Sequence, residues 1–352
     1  MDLTKAKDLR EDVIKLQGKP EAKMYIEAEQ QKITVSQLLE LRDPSEPDSK
    51  LDAFQRQFFL EGISLGDNPM KVSTYGDLAN SKISHLAPEF VRRQVIKGMQ
   101  MVRTFKGSLI AVETRVEGNQ FQPMHLRNKT TKGGSMKVTG EGATMTTLEI
   151  FYGEKTVDVK QYGKVLNVSY NVVKRKTLTE FQLILWLVGK NLENDQIAEI
   201  EAVVRAGDGT VGAAGNTTAA NSDAANMVYG DFVDVLIDFD QLFDPDRAFM
   251  TDAQAKPFLK LSEIKDPLAF TSFTQKGMLP TPFGFTIVRN PGGSDTYTSF
   301  IDHQFAIIRG VETALMLEAD KIIARRMDEV SIYEAIAYAV AVDEARRTLD
   351  FS

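Results

Sequence analysis

Between Phe151 and Thr177 the chain reads FYGEKTVDVKQYGKVLNVSYNVVKRKT, two strand-like segments that run directly into a helix signal of unusual length, TLTEFQLILWLVGKNLENDQIAEIEAVVRAGDG. Val157/Val159 and Leu166/Val168/Tyr170 alternate as strand residues do, and Gly153 and Gly163 predict bends or bulges. Thr177 and Glu180 have the spacing of a capping box, and Gly207 suits a left-handed helix end. About thirty helical residues at about 1.5 Å rise span roughly 45 Å. Gly189 lies inside this span and costs about 1 kcal/mol relative to alanine, too little to break it. The first half (Phe181, Ile184, Leu185, Trp186, Leu187, Val188) is apolar nearly all round, so Trp186 is expected to be substantially buried. The second half sets Leu192, Ile197, Ile200, Val203 and Val204 against Glu193, Asp195, Glu199 and Glu201. That combination suits a spine crossing a thin subunit. A long two-stranded arm feeding it buries little within one subunit, and makes sense where a neighbouring copy covers it.

The limb before these strands supports the same reading. Residues 108–118 alternate like a strand, and NKTTKGGSMKVTGEGATMTT then brings two glycine clusters and few large apolar groups. Such a stretch cannot hold a core and is expected to be the tip of an extended loop. Further upstream, residues 1–43 read as helix, break at Gly18-Lys19-Pro20, helix, the second capped by Thr34 or Ser36. A polar, proline-containing linker follows at 43–50, so the region is expected to be an arm with no core of its own. Downstream of the long helix lies a low-complexity loop, 207–226. Its GDGTVG run matches GxGxxG only formally, because a helix precedes it and a loop follows.

Composition removes many chemistries. No cysteine occurs, which excludes disulfides, thiolate catalysis and cysteine-ligated metals. The three histidines, His85, His125 and His303, are far apart and have no metal-ligand spacing. Asp231, Asp234 and Asp238 share one face of a predicted helix over 228–243 and read as a wetted face rather than a metal site. Nucleophile elbow, Walker loop, HExxH helix and Ser/His/Asp order are absent. The net charge of −7 argues against a dedicated nucleic-acid reader. Arg92, Arg93, Lys97, Arg103, Lys106, Arg115, Arg127, Lys129, Lys132 and Lys137 nevertheless form a basic stretch. No aromatic pattern is interleaved with it, so it is expected to meet acidic surfaces of the same or a neighbouring subunit. No apolar run reaches membrane-spanning length, and the charged N-terminus lacks a signal-peptide core, so export by that route is not expected.

Three segments in order carry a family resemblance: EGATMTTLEIFYGEKTVDVKQYGKVLNVSYNVV, the helix end Ile197 to Gly209, and LEADKIIARRMDEVSIYEAIAYAVAVDEARRTLDF. Over about residues 108–350 the chain resembles the major capsid proteins of tailed double-stranded DNA phages, which have the Hong Kong 97-type fold. That resemblance implies an α+β subunit with an N-terminal arm (1–60), entry segments (61–117) and an extended β-loop (118–162). The spine helix and start of the peripheral domain (163–226), an α/β axial domain (227–300) and return strands (301–352) complete it. It implies self-assembly into hexamers and pentamers of an icosahedral shell in the virion, formed in the host cytoplasm. Some relatives crosslink a loop lysine to a neighbour's asparagine, but no residue-level match carries that chemistry to this chain, so noncovalent assembly is expected. Portal, scaffold or decoration proteins, and packaged DNA bound without sequence preference, are the implied partners. Neither an enzyme activity nor a catalytic residue, cofactor, metal or membrane is implied. Subunit contacts are expected at Arg127, Lys129, Lys132, Lys137, Glu141, Met145, Phe151, Tyr152 and Lys155. An encapsulin-like nanocompartment shell is the alternative within the fold. A metabolic enzyme with a site around the acids at 231–246 is the alternative outside it.

Overall fold

The computed structural model describes residues 4–15, 23–31, 33–47, 49–63, 74, 78, 82–102, 104, 106–128, 141, 148–152, 156–169, 177–221, 223–239, 242–265, 284–322 and 327–352. The chain divides into two compact units. One comprises 1–101, 163–190 and 315–333, the other 102–162, 191–314 and 334–352.

The first unit begins with helices Thr4–Lys15, Lys23–Gln30, Val35–Arg42 and Ala53–Glu61. Local chemistry sets two of their starts. The Thr34 hydroxyl accepts from the Gln37 amide (3.1 Å) while the Gln37 side chain accepts from the Thr34 amide (2.9 Å). Asp52 and Gln55 repeat the arrangement at 2.7 and 3.1 Å. Each box satisfies two amides that a helix N-terminus leaves without partners. Gly62 ends the fourth helix at φ 73°, in the left-handed region glycine tolerates. The sequence predicted an arm lacking a core here, and the structure differs. Leu9, Val13, Met24, Leu38, Leu39, Phe54 and Phe58 are buried. Phe54 packs on Phe58 at 4.7 Å, and Phe58 on Phe90 of the helix Ala87–Gln100 at 6.0 Å. The buried Gln57 amide donates to the Ala6 carbonyl (2.9 Å), and a buried Arg56–Asp43 pair (2.8 Å) ties the linker down. Single apolar stripes too weak to form a core alone form one together.

The second unit contains a five-stranded sheet in the order Gly215–Thr218, Arg346–Asp350, Tyr297–Ile301, Arg247–Met250, Thr286–Arg289. The two outer pairs are parallel and the two inner pairs antiparallel. Successive strand side chains alternate faces, and both faces here are buried. Phe249, Val288 and Ile301 point to a core shared with Ile197, Ile200, Val203 and Val204 of the long helix. Ala248, Met250, Ile287 and Phe300 point to the opposite core, where Phe232 and Phe258 of helices Tyr229–Asp238 and Asp252–Phe258 pack at 4.6 Å. Gly215–Thr218 and Arg346–Asp350 belong to this sheet although both fall outside 227–300. A four-stranded sheet has the order Val112–Arg115, Ile307–Ile322, Met327–Val340, Lys160–Ser169, its first pair parallel.

The long helix runs Leu178–Ala206. Its capping box forms as expected: the Thr177 amide donates to Glu180 and the Glu180 amide to the Thr177 hydroxyl, both at 3.2 Å. Gly207 closes it at φ 86°, its amide reaching the Val203 carbonyl at 2.9 Å. Gly163 lies inside a strand rather than at a bend. A Cβ there would come within 3.1 Å of Tyr333 and 3.2 Å of the Ile332 carbonyl, so glycine serves close strand approach.

Candidate functional site

Two antiparallel strand pairs lie within the segment 118–162 and form a ribbon. Gln120–Phe121 pairs with Val157–Asp158, and Met124–Asn128 pairs with Leu148–Tyr152. Its root is anchored: Phe121 and Val157 are buried against Val116, Ala337 and Ala339. Gly310 makes room for this, since a Cβ there would stand 2.7 Å from Val116 and 3.1 Å from the Phe121 ring. Beyond the root the register sets Arg127 opposite Glu149, His125 opposite Phe151 and Met124 opposite Tyr152. Glu141 is exposed. Lys129, Lys132, Lys137, Met145 and Lys155 lie outside the described residues.

The apolar half of the long helix is covered on one face only. Phe181, Leu185 and Gly189 are buried, whereas Leu183 and Leu187 are 62% and 56% exposed and Ile184 is also exposed. The expectation of burial all round is therefore corrected. The reason is that one neighbouring helix, Ala87–Gln100, covers a single stripe. Trp186 is half-buried; its indole N–H donates to the Gln94 side chain (2.9 Å) and Lys97 lies 4.9 Å above its ring. An open groove of about 610 Å³ borders this crossing, with Arg93, Gln94, Lys97, Gln182 and Trp186 among its walls. Neither a carboxylate nor a histidine is among its lining residues.

Part of the basic stretch is engaged within the subunit. Arg92 contacts Glu89 (3.3 Å) and the Leu315 carbonyl (3.1 Å), Arg93 pairs with Asp52, and Lys106 is buried. Arg103 lies outside the described residues. The acidic helix residues expected at the surface also divide. Glu193 and Glu201 are buried, and Asp195 is exposed. Burial drives the Glu201 carboxyl upward, although the Ser299 hydroxyl donates to it at 3.0 Å and Arg205 stands 3.4 Å away.

Asp231 and Asp238 serve the fold, which corrects the expectation of a wetted face at Asp231. Asp231 is buried and accepts from the Ala220 and Val228 amides at 2.8 and 3.0 Å. Asp238 accepts from Thr217 (2.7 Å) and pairs with Arg347 (3.0 Å), and Asp234 is exposed. Among the described residues one group has cation-binding potential, Asp246, Asp302 and His303, with ligand atoms within 4.8 Å of one another. Its carboxylates are already occupied. Asp302 accepts from the Gln304 and Asp244 amides (3.1 and 3.4 Å), and Asp246 accepts from the His303 amide (3.1 Å), meets the His303 ring and pairs with Arg247 (3.3 Å). The cluster locks a strand end. Histidine spacing in sequence missed it because the strands starting at Arg247 and ending at Ile301 pair antiparallel and bring their flanks together.

No protein-family model matches the chain, and no curated protein sequence matches it. Solved structures do. A virus-like particle from Pyrococcus furiosus is similar over 74% of this chain and 98% of its own, with TM-score 0.50 and 13% identity. The capsid structure of the cyanophage P-SCSP1u is similar over 70% of this chain and 88% of its own, with TM-score 0.50 and 11% identity. At such identities the likeness establishes the fold, which is the capsid-type α+β fold the sequence resemblance implied. No helix among the described residues is long and apolar enough to cross a membrane.

Proposed function

We propose that this chain is a shell-forming structural protein whose copies assemble into the capsid of a tailed double-stranded DNA phage. The observation that carries this reading is the fold likeness to particle-forming proteins. It is reinforced by a ribbon whose outer strands, among the described residues, pair only with each other and by a helix half with one face bare. An isolated two-stranded ribbon is marginal in water, so a neighbouring copy is the natural cover. In this reading Arg127, Lys129, Lys132, Lys137, Glu141, Met145, Phe151, Tyr152 and Lys155 make the contacts between copies in hexamers and pentamers. Portal and scaffold or decoration proteins complete the particle. The enclosed DNA is touched weakly and without sequence preference, consistent with the net charge of −7.

Electron microscopy of the purified protein tests this. Closed shells are expected, and elution as a small oligomer under every assembly condition would refute the reading. Nuclease-protected duplex DNA inside the shells supports the phage assignment. Protein cargo in place of DNA would transfer it to a nanocompartment.

A further inference from the structure

The second unit contains a buried amine set against a carboxamide. Lys106, Glu193, Gln196 and Glu334 are all buried, with Glu193 and Gln196 fully so. Lys106 stands in the short 3-10 turn Lys106–Leu109, and Glu193 and Gln196 are one turn apart on the long helix. The Lys106 side chain donates to the Gln196 carbonyl oxygen. The Lys106 backbone amide donates to one Glu193 oxygen at 2.5 Å. The other Glu193 oxygen makes no hydrogen bond and stands 3.7 Å from Lys106 Nζ. Gln196 Nε2 is likewise buried without a hydrogen-bond partner. A leaving nitrogen without donor duties, an amine at the carbonyl and a carboxyl beside both are the parts that acyl transfer to an amine needs.

We propose that Lys106 and Gln196 join in an isopeptide bond within a single subunit, with Glu193 carrying the proton. The Lys106 Nζ lone pair attacks Gln196 Cδ and forms the new C–N bond. The bond from Cδ to Nε2 then breaks. A proton from Nζ passes through the Glu193 carboxyl to Nε2, and ammonia leaves. Nothing is oxidised or reduced, and no co-reactant is needed. Attack requires the neutral amine, which burial and the neighbouring Arg309 favour against the pull of the Glu334 carboxylate at 3.5 Å and of Glu193. Burial lowers the Lys106 amine below its ordinary range, and burial raises the Glu193 carboxyl above its own. Together they favour an amine–acid pair over an ammonium–carboxylate pair. The product is a covalent tie between the turn at 106 and the long helix. Assembly between copies plays no part in it.

Mass spectrometry of the purified, denatured protein tests the bond. The expected wild-type mass is that of the sequence less one ammonia. Proteolysis is expected to release one branched peptide joining the Lys106 and Gln196 segments. Lys106→Arg and the near-isosteric Glu193→Gln are each expected to return the full sequence mass. Circular dichroism of Glu193→Gln distinguishes a lost bond from a lost fold. A wild-type chain at full sequence mass would overturn the proposal, as would ammonia loss without the branched peptide. A branched peptide persisting in Glu193→Gln would overturn the role given to Glu193.

Discussion

Gly98 and Gly189 meet where the helix Ala87–Gln100 crosses the long helix, with no room for a side chain on either. A Cβ on Gly189 would stand 2.1 Å from the Val95 carbonyl oxygen and 3.1 Å from Gly98 Cα. A Cβ on Gly98 would stand 2.3 Å from the Trp186 carbonyl oxygen. Backbone at that distance cannot rotate aside as a side chain would.

Gly189→Ala is therefore a contest between two effects. Helix propensity favours alanine by about 1 kcal/mol. Overpacking a close crossing costs about 1–3 kcal/mol, occasionally more. Because the obstacle is backbone, the variant is expected to be destabilised, with a lowered midpoint in thermal or denaturant unfolding. Gly230→Ala is the control, since nothing lies within 4 Å of a Cβ there; it is expected to be neutral or slightly stabilising. Equal behaviour of the two would contradict the crossing.

Arg346 is expected to be among the costliest single substitutions. Its fully buried guanidinium donates to the Val203 and Val204 carbonyls at 3.1 and 2.7 Å and to Gly212 at 2.5 Å, and it pairs with Asp343 at 2.6 Å. It thus caps the C-terminal end of the long helix with a cation, where the helix dipole favours one. Removing one partner of a buried charged network costs about 3–5 kcal/mol. Arg346→Met is expected to show a loss of that size. Arg346→Lys should recover little of it, because a point charge cannot span three carbonyls and a carboxylate. Chemical denaturation of both variants measures this.

These residues also mark where sequence reasoning stopped. Helix ends set by adjacent residues were legible: Thr177 with Glu180 and Gly207 as the stop form as the local chemistry dictates, and of the two candidates Thr34 and Ser36 it is Thr34 that caps, with Gln37 completing a box the sequence reading did not name. The paired strands were legible because alternation is a local signal. Gly189 was read as a tolerated helix residue, since its reason lies in Gly98, on another helix. Glu193 looked like a surface acid for the same cause, its partner Lys106 being held in a distant turn. The helix Lys23–Gln30 was missed because KMYIEAEQ has too short an apolar stripe to register before its neighbours are known.

Asp208 should give the fold an acid-sensitive joint. Burial acts to raise its carboxyl, but the bonds from Thr210, Val211 and Val340 outweigh it and hold the carboxyl below the ordinary aspartate range. The Thr210 and Val211 amides donate at 2.8 Å and the Val340 amide at 2.9 Å. An acid with a depressed folded pKa contributes stability above its unfolded value, about 3.9, and that contribution is lost as pH falls through the folded value. Asp208→Asn is thus expected to be less stable than wild type at neutral pH. The gap should narrow on acidification below about pH 4. A gap constant from neutral pH into that range would show that ionisation of Asp208 contributes nothing.

The ribbon separates folding from assembly most directly. Phe121 and Val157 anchor its root inside the second unit, whereas among the described residues the strands from Met124 and to Tyr152 pair only with each other. Deleting 130–142 should therefore leave a subunit with wild-type circular dichroism and near wild-type melting, yet abolish closed shells in electron micrographs. The charges refine this expectation. Arg92, Arg93 and Lys106 have partners inside the subunit, so they have little left to offer a neighbour. Any salt dependence of assembly should then reside in Lys129, Lys132, Lys137 and Lys155. Exposed ion pairs contribute roughly 0–1 kcal/mol each and are screened by salt. Replacing these four lysines with glutamine should flatten the dependence of shell yield on salt while the monomer fold is unchanged. Normal shells from the deletion variant would remove the ribbon from assembly. An unaltered salt profile in the lysine variant would return the electrostatic contribution to other surfaces.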